Sequence, residues 1–269
     1  MTQKIAYLDC HSGVSGDMLL GAFLDVGLSL EILKQALAVL PMEGYELKLS
    51  PFGDYGITGS RFEVLLAEQE QPERSFTAIA TLLQSSSLPN TVIERAIGIF
   101  RTLGEAEAVI HGVPLDKIHF HEVGAVDAIV DIVGTVIALE TLGITQLYAS
   151  PLPLTRGHLR MAHGFMPIPA PATLEILSQV KAPWLPCPLE GELVTPTGAA
   201  ILATLARFET PAIAIEQVGY GFGKKRIIWP NCLRACIGEA YGYIRSNDDF
   251  EHDDDVYHHH EHKHSYAHR

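Results

Sequence analysis

The chain has 269 residues, of which 47% are hydrophobic, so it can bury the core of one large domain or of two modest ones. Its formal net charge of -13 argues against a nucleic acid or an anionic membrane as the main partner, because both bind clustered Lys and Arg. Four scattered cysteines do not form a disulfide framework, and neither a signal peptide nor a membrane-length apolar stretch is apparent. These features predict a cytoplasmic protein.

The N-terminal segment predicts a strand, a turn and a helix. Residues 5–9 form the strand and residues 18–26 the helix, and the turn between them contains two glycines. Free backbone N–H groups and the helix dipole favour an anion or a metal at such a turn. The candidate ligands or substrate contacts there are Asp9, His11, Ser15 and Asp17. Ordinary turn and capping roles for the serines and glycines explain the same pattern.

Periodicity predicts the elements that follow in the first half of the chain. Helices are expected at residues 30–40, 75–84 and 90–109, and strands at 45–50 and 60–67, joined through the turn-rich residues 51–56. The apolar stripe of the third helix is typical of a core and not of a cofactor site.

The most informative stretch begins with His119, Phe120, His121 and Glu122 and ends at Asp131. On extended backbone His119 and His121 project to the same side, so both can face one ion. Residues 122–142 predict a buried helix that is apolar nearly all round, yet it carries Asp127 and Asp131 four residues apart. Imidazoles and carboxylates together form the mixed ligand set that zinc, nickel, iron or manganese accept. The alternative is a helix cap at Glu122 and ordinary hydrogen bonds for the histidines.

The second half predicts extended residues 147–155, a loop or edge strand at 156–164, helices starting near 172 and 196, and strands at 213–220 and 233–243. Arg156, Lys224 and Arg226 are candidate anion contacts. Thr195 and Thr197 are candidates to cap the helix that starts near 196 or to donate to a bound phosphate. The glycines at 219–223 predict a flexible turn and not a dinucleotide fingerprint, because no helix follows them. We expect an α/β or α+β body with mixed sheets, with one lobe at residues 1–143 and another at 144–243.

Residues 244–269 have a different composition, and we expect them to be disordered. Seven of the 13 histidines lie there, interrupted by other residues and flanked by acids, which favours a natural metal-collecting tail over an engineered purification tag. The candidate metal ligands of this tail are His258, His259, His260, His262 and His264.

Several motifs in order carry a resemblance to a known family. They are the stretch from His119 to Gly134, the turn from Ser12 to Met18, the segments 162–164 and 169–173, the segment from Glu192 to Gly198, and residues 230–234. In this respect the chain resembles the nickel-insertion proteins that complete the nickel-pincer nucleotide cofactor of lactate racemase, and the resemblance covers residues 3–240. A histidine-rich segment after this region is also similar to the family pattern.

The resemblance implies a nickel chelatase, or cyclometallase, of the lyase class that acts on pyridinium-3,5-bisthiocarboxylic acid mononucleotide. It implies CTP and a divalent ion, manganese or magnesium, as further requirements. Family members continue past the histidine-rich stretch into a CTP-binding domain. We therefore expect this chain to be a fragment or to have a separately encoded C-terminal partner, and homo-oligomers are a further expectation.

The resemblance requires a site that holds a nucleotide phosphate, presents two thiocarboxylates and positions nickel, and the candidate residues supply parts for it. His119, His121, Glu122 and Asp127 would hold or pass the metal, and Asp131 belongs to the same ligand group. Asp9, His11 and Asp17 would form a second ligand group or contact the substrate, and Arg156, Lys224 and Arg226 would meet its phosphate. Two other functions fit the residues: a metal-dependent phosphohydrolase, and a nickel store or metallochaperone that needs only the tail.

Overall fold

The computed structural model describes residues 3–67, 74–120, 126–161 and 164–241. In chain order, its strands are β1 (Lys4–Asp9), β2 (Tyr45–Asp54), β3 (Ile57–Leu66), β4 (Arg74–Ser75), β5 (His119–Phe120), β6 (Gln146–Ala149), β7 (Leu152–Arg156), β8 (His158–Met161), β9 (Gly164–Pro167), β10 (Trp184–Glu190), β11 (Ala206–Arg207), β12 (Ile213–Phe222) and β13 (Cys232–Ala240). The helices are α1 (Gly16–Asp25), α2 (Leu30–Leu37), α3 (Phe76–Gln84), α4 (Asn90–His111), α5 (Val126–Leu142), α6 (Pro171–Gln179) and α7 (Pro196–Leu205).

One mixed sheet of seven strands organises these elements, in the order β11-β6-β1-β13-β12-β3-β2. Strand β1 is parallel to β6 and antiparallel to β13, and β12 is antiparallel to β13. The α/β fold with mixed sheets and packed helices is thereby confirmed. Within the described residues, strands from 1–143 and strands from 144–243 both enter this sheet. A division at residue 143 therefore does not separate two independent sheets.

Apolar helices cover one face of the sheet. Helix α5 buries 12 of its 17 residues, as its nearly uninterrupted run of Val, Ile and Ala predicts. On the central strands, Leu8 and Ala235 belong to this core. Because side chains alternate along a strand, their neighbours Asp9 and Arg234 project from the opposite face. The sheet thus brings two charged side chains together away from the helices.

The hairpin of β2 and β3 corrects the prediction for residues 51–56. Both strands extend further than expected, with Asp54 paired to Ile57, and only Tyr55 and Gly56 form the turn. Both turn residues have positive φ, 48° and 81°, as a two-residue hairpin turn that matches the strand twist requires. Strand β2 lies at the sheet edge, where Pro51 is tolerated despite its missing N–H.

The glycines at 219, 221 and 223 also differ from the prediction, because the first two lie within strand β12 and not in a flexible turn. Gly219 and Gly221 share one strand face and let the backbone of α1 approach closely. A Cβ on Gly221 would lie 1.9 Å from the carbonyl oxygen of Met18, and one on Gly219 would lie 2.4 Å from that of Ala22. Glycine at these positions is therefore required for helix packing, which sequence spacing alone did not reveal.

We expect Gly221→Ala to destabilise the protein by about 3 kcal/mol or more, because neither backbone can move aside without breaking the sheet or the helix. Gly98→Ala, within helix α4, is the matched control, since its new Cβ would meet only Cγ2 of Thr204 on α7, at 3.6 Å. Helix propensity predicts a gain of up to about 1 kcal/mol for that change. Urea unfolding of both variants checks the pair, and equal midpoints would contradict this account of the packing.

No helix within the described ranges is long and apolar enough to cross a membrane.

Candidate functional site

The C-terminal end of β1 leads into a loop that forms one wall of an open cleft. Asp9 pairs with Arg234 on β13 and also accepts a hydrogen bond from the backbone N–H of His11 at 3.3 Å. The imidazole of His11 faces the indole of Trp229, with 5.5 Å between ring centroids. Two of the predicted contacts, Asp9 and His11, therefore lie together at this cleft.

Ser12 connects this loop by hydrogen bonds to Trp229 and Pro230, which form the opposite wall of the cleft. Its hydroxyl donates to the carbonyl oxygen of Pro230 at 2.8 Å and accepts from Trp229 Nε1 at 3.1 Å. The indole is thus held by a hydrogen bond at its polar end while its ring borders a space of about 540 Å³. This volume is within the range of small-molecule sites.

Cys232 also lines the cleft. Burial raises the pKa of its thiol to about 11, with smaller opposing contributions from Arg234, which lowers it, and from Asp9 and Asp54, which raise it. The protonated thiol is a poor nucleophile and a poor metal ligand at neutral pH. The cleft therefore offers aromatic and charged contacts and not thiolate chemistry.

The same loop continues to the start of α1, where it positions the carboxylate of Asp17. Ser15 occupies the N-cap position, but its hydroxyl accepts no hydrogen bond from a helix N–H and instead donates to Asp17. Asp17 Oδ1 also accepts from the backbone N–H of Met18 at 2.9 Å, and Lys224 Nζ lies 3.9 Å from Asp17 Oδ2. Ser15 is thus a positioning residue for the carboxylate.

Asp131 on α5 lies directly beneath this helix start. Its oxygen Oδ1 has no solvent contact and no hydrogen-bond partner, although the residue as a whole keeps some exposed surface. Burial raises the pKa of this carboxyl well above its usual value, and the charges of Asp17 and Asp127 raise it further, while Lys224 lowers it. A buried carboxylate without a partner is costly, so its place here needs a function.

Asp127 completes this acidic cluster, which consists of Asp17, Asp127 and Asp131. At the start of α5 the Asp127 carboxylate accepts from the backbone N–H of Ala128 at 2.9 Å. Gly16 permits the approach of the two helices, because a Cβ on it would lie 2.4 Å from Asp131 Oδ2. The predicted shared stripe of Asp127 and Asp131 therefore meets the N-terminal turn, which sequence spacing did not connect with it.

The histidine part of the predicted metal site is described only in part. His119 is exposed on β5, where it pairs with Ser75 of β4, so its extended backbone is confirmed. His121 and Glu122 lie outside the described residues, as do His258, His259, His260, His262 and His264. In the part of the chain that is described, no group of three or more His, Cys, Asp or Glu side chains is arranged to hold a metal ion. The joint metal pocket therefore stays a prediction.

The candidate anion contacts are separated from one another. Lys224 and Arg226 follow β12 and line one small cavity, whereas Arg156 lies on β7 opposite Glu190 in a separate two-stranded sheet. Thr195 accepts from the backbone N–H of Gly198 at 3.1 Å, so the capping role of this threonine is confirmed. Lys225 Nζ donates to the carbonyl oxygen of Glu192 at 2.8 Å and ties the loop after β12 to this region.

Comparison with known proteins identifies the family of this chain. A family model described as nickel insertion protein matches residues 6–263. The chain belongs to the nickel insertion protein family. Nickel is accordingly the metal that this family handles, and the resemblance drawn from the motifs is confirmed. No solved structure matches the chain.

Two curated relatives illustrate the family. A protein of Thermomicrobium roseum named "Putative nickel insertion protein" is 50% identical over 249 residues, which cover 92% of this chain and 61% of the relative. A protein of Desulfitobacterium hafniense named "Pyridinium-3,5-bisthiocarboxylic acid mononucleotide nickel insertion protein" is 48% identical over 238 residues, covering 88% of this chain and 58% of the relative. The chain thus spans about three fifths of the length of these nickel insertion proteins.

Proposed function

We propose that this chain takes part in nickel insertion into pyridinium-3,5-bisthiocarboxylic acid mononucleotide. Family membership and the name of the Desulfitobacterium hafniense relative support the reaction. The observation that carries the proposal is the unpartnered Asp131 carboxyl beside Asp17 and Asp127, because such a cluster is stabilised when a cation joins it.

Nickel is a substrate in this scheme, and the acidic cluster is where it would pass. Asp127 and Asp131 would supply oxygen ligands, and His119, His121 and Glu122 would add the nitrogen and further oxygen ligands that a borderline metal prefers. Lys224 would balance the carboxylate charge before the metal arrives, since it lies 3.9 Å from Asp17. When nickel leaves with the product, Lys224 would again balance the charge of Asp17.

The open cleft would receive the pyridinium ring of the substrate. The cationic ring fits the Trp229 indole face, and the Ser12 hydrogen bonds fix that indole in place. Asp9 and His11 would contact the ring or its substituents from the same loop that carries Ser15 and Asp17. One loop would thereby set the ring and the metal in a fixed relation.

CTP and manganese or magnesium belong to the proposal as requirements of the whole protein. The chain spans about three fifths of its relatives, and we propose that the remaining portion, in the same chain or separately encoded, binds the nucleotide. Homo-oligomer formation and a cytoplasmic location also belong to the proposal.

A reconstituted assay tests the proposed function. The chain is mixed with the C-terminal portion of a relative, nickel, CTP, manganese and the bisthiocarboxylate mononucleotide, and the nickel-containing product is measured by mass spectrometry. Product formation is expected only with this chain present. Phosphate release from mononucleotides without CTP would instead support a metal-dependent phosphohydrolase. If neither the nickel-containing product nor free phosphate forms, both enzymatic functions are contradicted.

Deletion of residues 248–269 separates insertion from storage. We expect the truncated chain to lose most of its nickel-binding stoichiometry but to keep insertion when free nickel is abundant, because the tail offers many imidazole ligands for nickel, whereas insertion is proposed to occur in the folded part. Nickel titration and the insertion assay at low and high nickel check this. Loss of insertion at saturating nickel would contradict a collecting role for the tail, and a chain that binds nickel only through the tail and never supports insertion would be a storage protein.

A further inference from the structure

A second, smaller cavity lies behind the loop that joins β12 to β13. It has a volume of about 230 Å³, several times the roughly 30 Å³ of a water molecule but less than a site for a whole nucleotide. Its lining carries four basic side chains and a single acidic one. The basic side chains are those of Arg61, Lys224, Lys225 and Arg226, and the acid is Asp54. Such a balance favours a small anion.

Arg61 is the preorganised member of this group. Its guanidinium carbon lies 3.5 Å from the centroid of the Phe52 ring, and its Nη2 donates to the carbonyl oxygen of Gly223 at 3.1 Å. Strand β3 therefore presents a fixed guanidinium, in contrast to a flexible surface arginine. No carboxylate among the described residues lies within ion-pair distance of Arg61, so its charge remains available to a ligand.

Two unpaired polar atoms point to a missing ligand. Arg61 Nε is buried and has no hydrogen-bond partner, although it is a charged donor. Asn231 is only 6% exposed, and its Oδ1 also lacks a partner while its Nδ2 donates to the carbonyl oxygen of Lys225 at 2.9 Å. Buried donors and acceptors are nearly always paired, so an unpaired donor and an unpaired acceptor on two residues that line the same cavity point to a group that is missing there.

The cavity adjoins the acidic cluster through one side chain. Lys224 lines the cavity, yet its Nζ is 3.9 Å from Asp17 Oδ2. A group bound in the cavity is therefore held next to the carboxylates that would handle the metal. Lys224 also exerts an electrostatic influence on Asp131, so the two sites are coupled through charge.

We propose that this cavity binds the phosphate monoester of the mononucleotide substrate, with Arg61 as its principal contact. On binding, small side-chain movements allow Arg61 Nε to donate to a phosphate oxygen and Asn231 Oδ1 to accept from a sugar hydroxyl, while the exposed amines of the loop neutralise the phosphate charge. This inference rests on the proposed function for the identity of the substrate. It adds Arg61, which the sequence did not single out, and Asn231, to which the motif at residues 230–234 gave no role, and it omits Arg156, which lies elsewhere.

Binding of nicotinic acid mononucleotide to the metal-free full chain tests the inference by calorimetry, with the corresponding riboside as the ligand that lacks only the phosphate. We expect the mononucleotide to bind about tenfold or more tightly than the riboside, and Arg61→Ala to remove that difference. Arg207→Ala is the matched control, because Arg207 is an exposed arginine at the opposite edge of the same sheet.

A second variant guards against misfolding of Arg61→Ala, whose ring contact is lost. Arg226 is exposed on the loop, so Arg226→Ala should fold normally and weaken mononucleotide binding about threefold or more while leaving riboside binding unchanged. Equal binding of mononucleotide and riboside by the unaltered chain would overturn the inference. Phosphate-dependent binding in a chain that fails to support nickel insertion would contradict the proposed function alone.

Discussion

Replacing Asp131 by Asn is expected to lower nickel insertion by about 10- to 100-fold or more, the usual loss when a group at or next to a metal ligand is changed. The variant keeps the size of the side chain but removes the charge that a cation would neutralise. The reconstituted insertion assay measures this loss. Glu209→Gln is the matched control, because Glu209 is exposed and lines neither the cleft nor the basic cavity.

The same Asp131→Asn change is expected to stabilise the metal-free fold by about 1–3 kcal/mol at neutral pH, which is the cost of a buried polar group without a partner. The amide can donate to the Asp17 carboxylate, whereas the carboxylate is repelled by it. Thermal unfolding with a chelator present measures the change. A variant that is both inactive and less stable would indicate that Asp131 is structural.

The stability difference should depend on pH in a defined direction. Folding raises the pKa of Asp131 above its usual value of 3.8, chiefly by burial, so the unfolded chain loses this proton at a lower pH than the folded one. The unaltered protein therefore loses stability relative to Asp131→Asn as pH rises above about 4, until the folded carboxyl also ionises. A difference that shrinks over this range would contradict the burial of the charge.

Replacing Gly16 by Ala is the second change with a large expected effect. The new Cβ would lie 2.4 Å from Asp131 Cβ and Oδ2, so α1 and α5 must separate at the acidic cluster. We expect a loss of about 1–3 kcal/mol in the free energy of unfolding together with a loss of insertion. Urea unfolding and the insertion assay measure both, with Gly98→Ala as the control that leaves both nearly unchanged. Full insertion activity in Gly16→Ala would show that the close helix contact is not needed.

Local patterns predicted much of the fold because they reflect local physics. The apolar run of α5, the capping role of Thr195 and the extended backbone at His119 follow from periodicity and hydrogen-bonding preference. The glycines of β12 were predicted to form a turn, but glycine is required there because the backbone of α1, some 200 residues earlier in the chain, packs against them. Such a reason cannot be read from neighbours in sequence.

The candidate site shows the same limit. Asp127 and Asp131 stand out because carboxylates on an apolar helix are costly, and Asp17 stands out at a glycine-containing turn. Their meeting depends on the packing of α1 against α5, which spacing does not specify. Trp229 and Arg61 carry no distinctive local pattern, and Asn231 stands in the motif at residues 230–234 without an assigned role. They gain significance only through Ser12, Phe52 and Lys225, which contact them across the fold.

Nickel affinity of the folded part is the most direct measure of whether the acidic cluster takes up the metal. The 269-residue chain, with its seven tail histidines at 252, 258, 259, 260, 262, 264 and 268 replaced by alanine, is titrated with nickel by calorimetry. We expect one site per chain whose affinity falls about 10- to 100-fold on Asp131→Asn. Absence of any such site, or one that is indifferent to Asp131→Asn, would contradict the account.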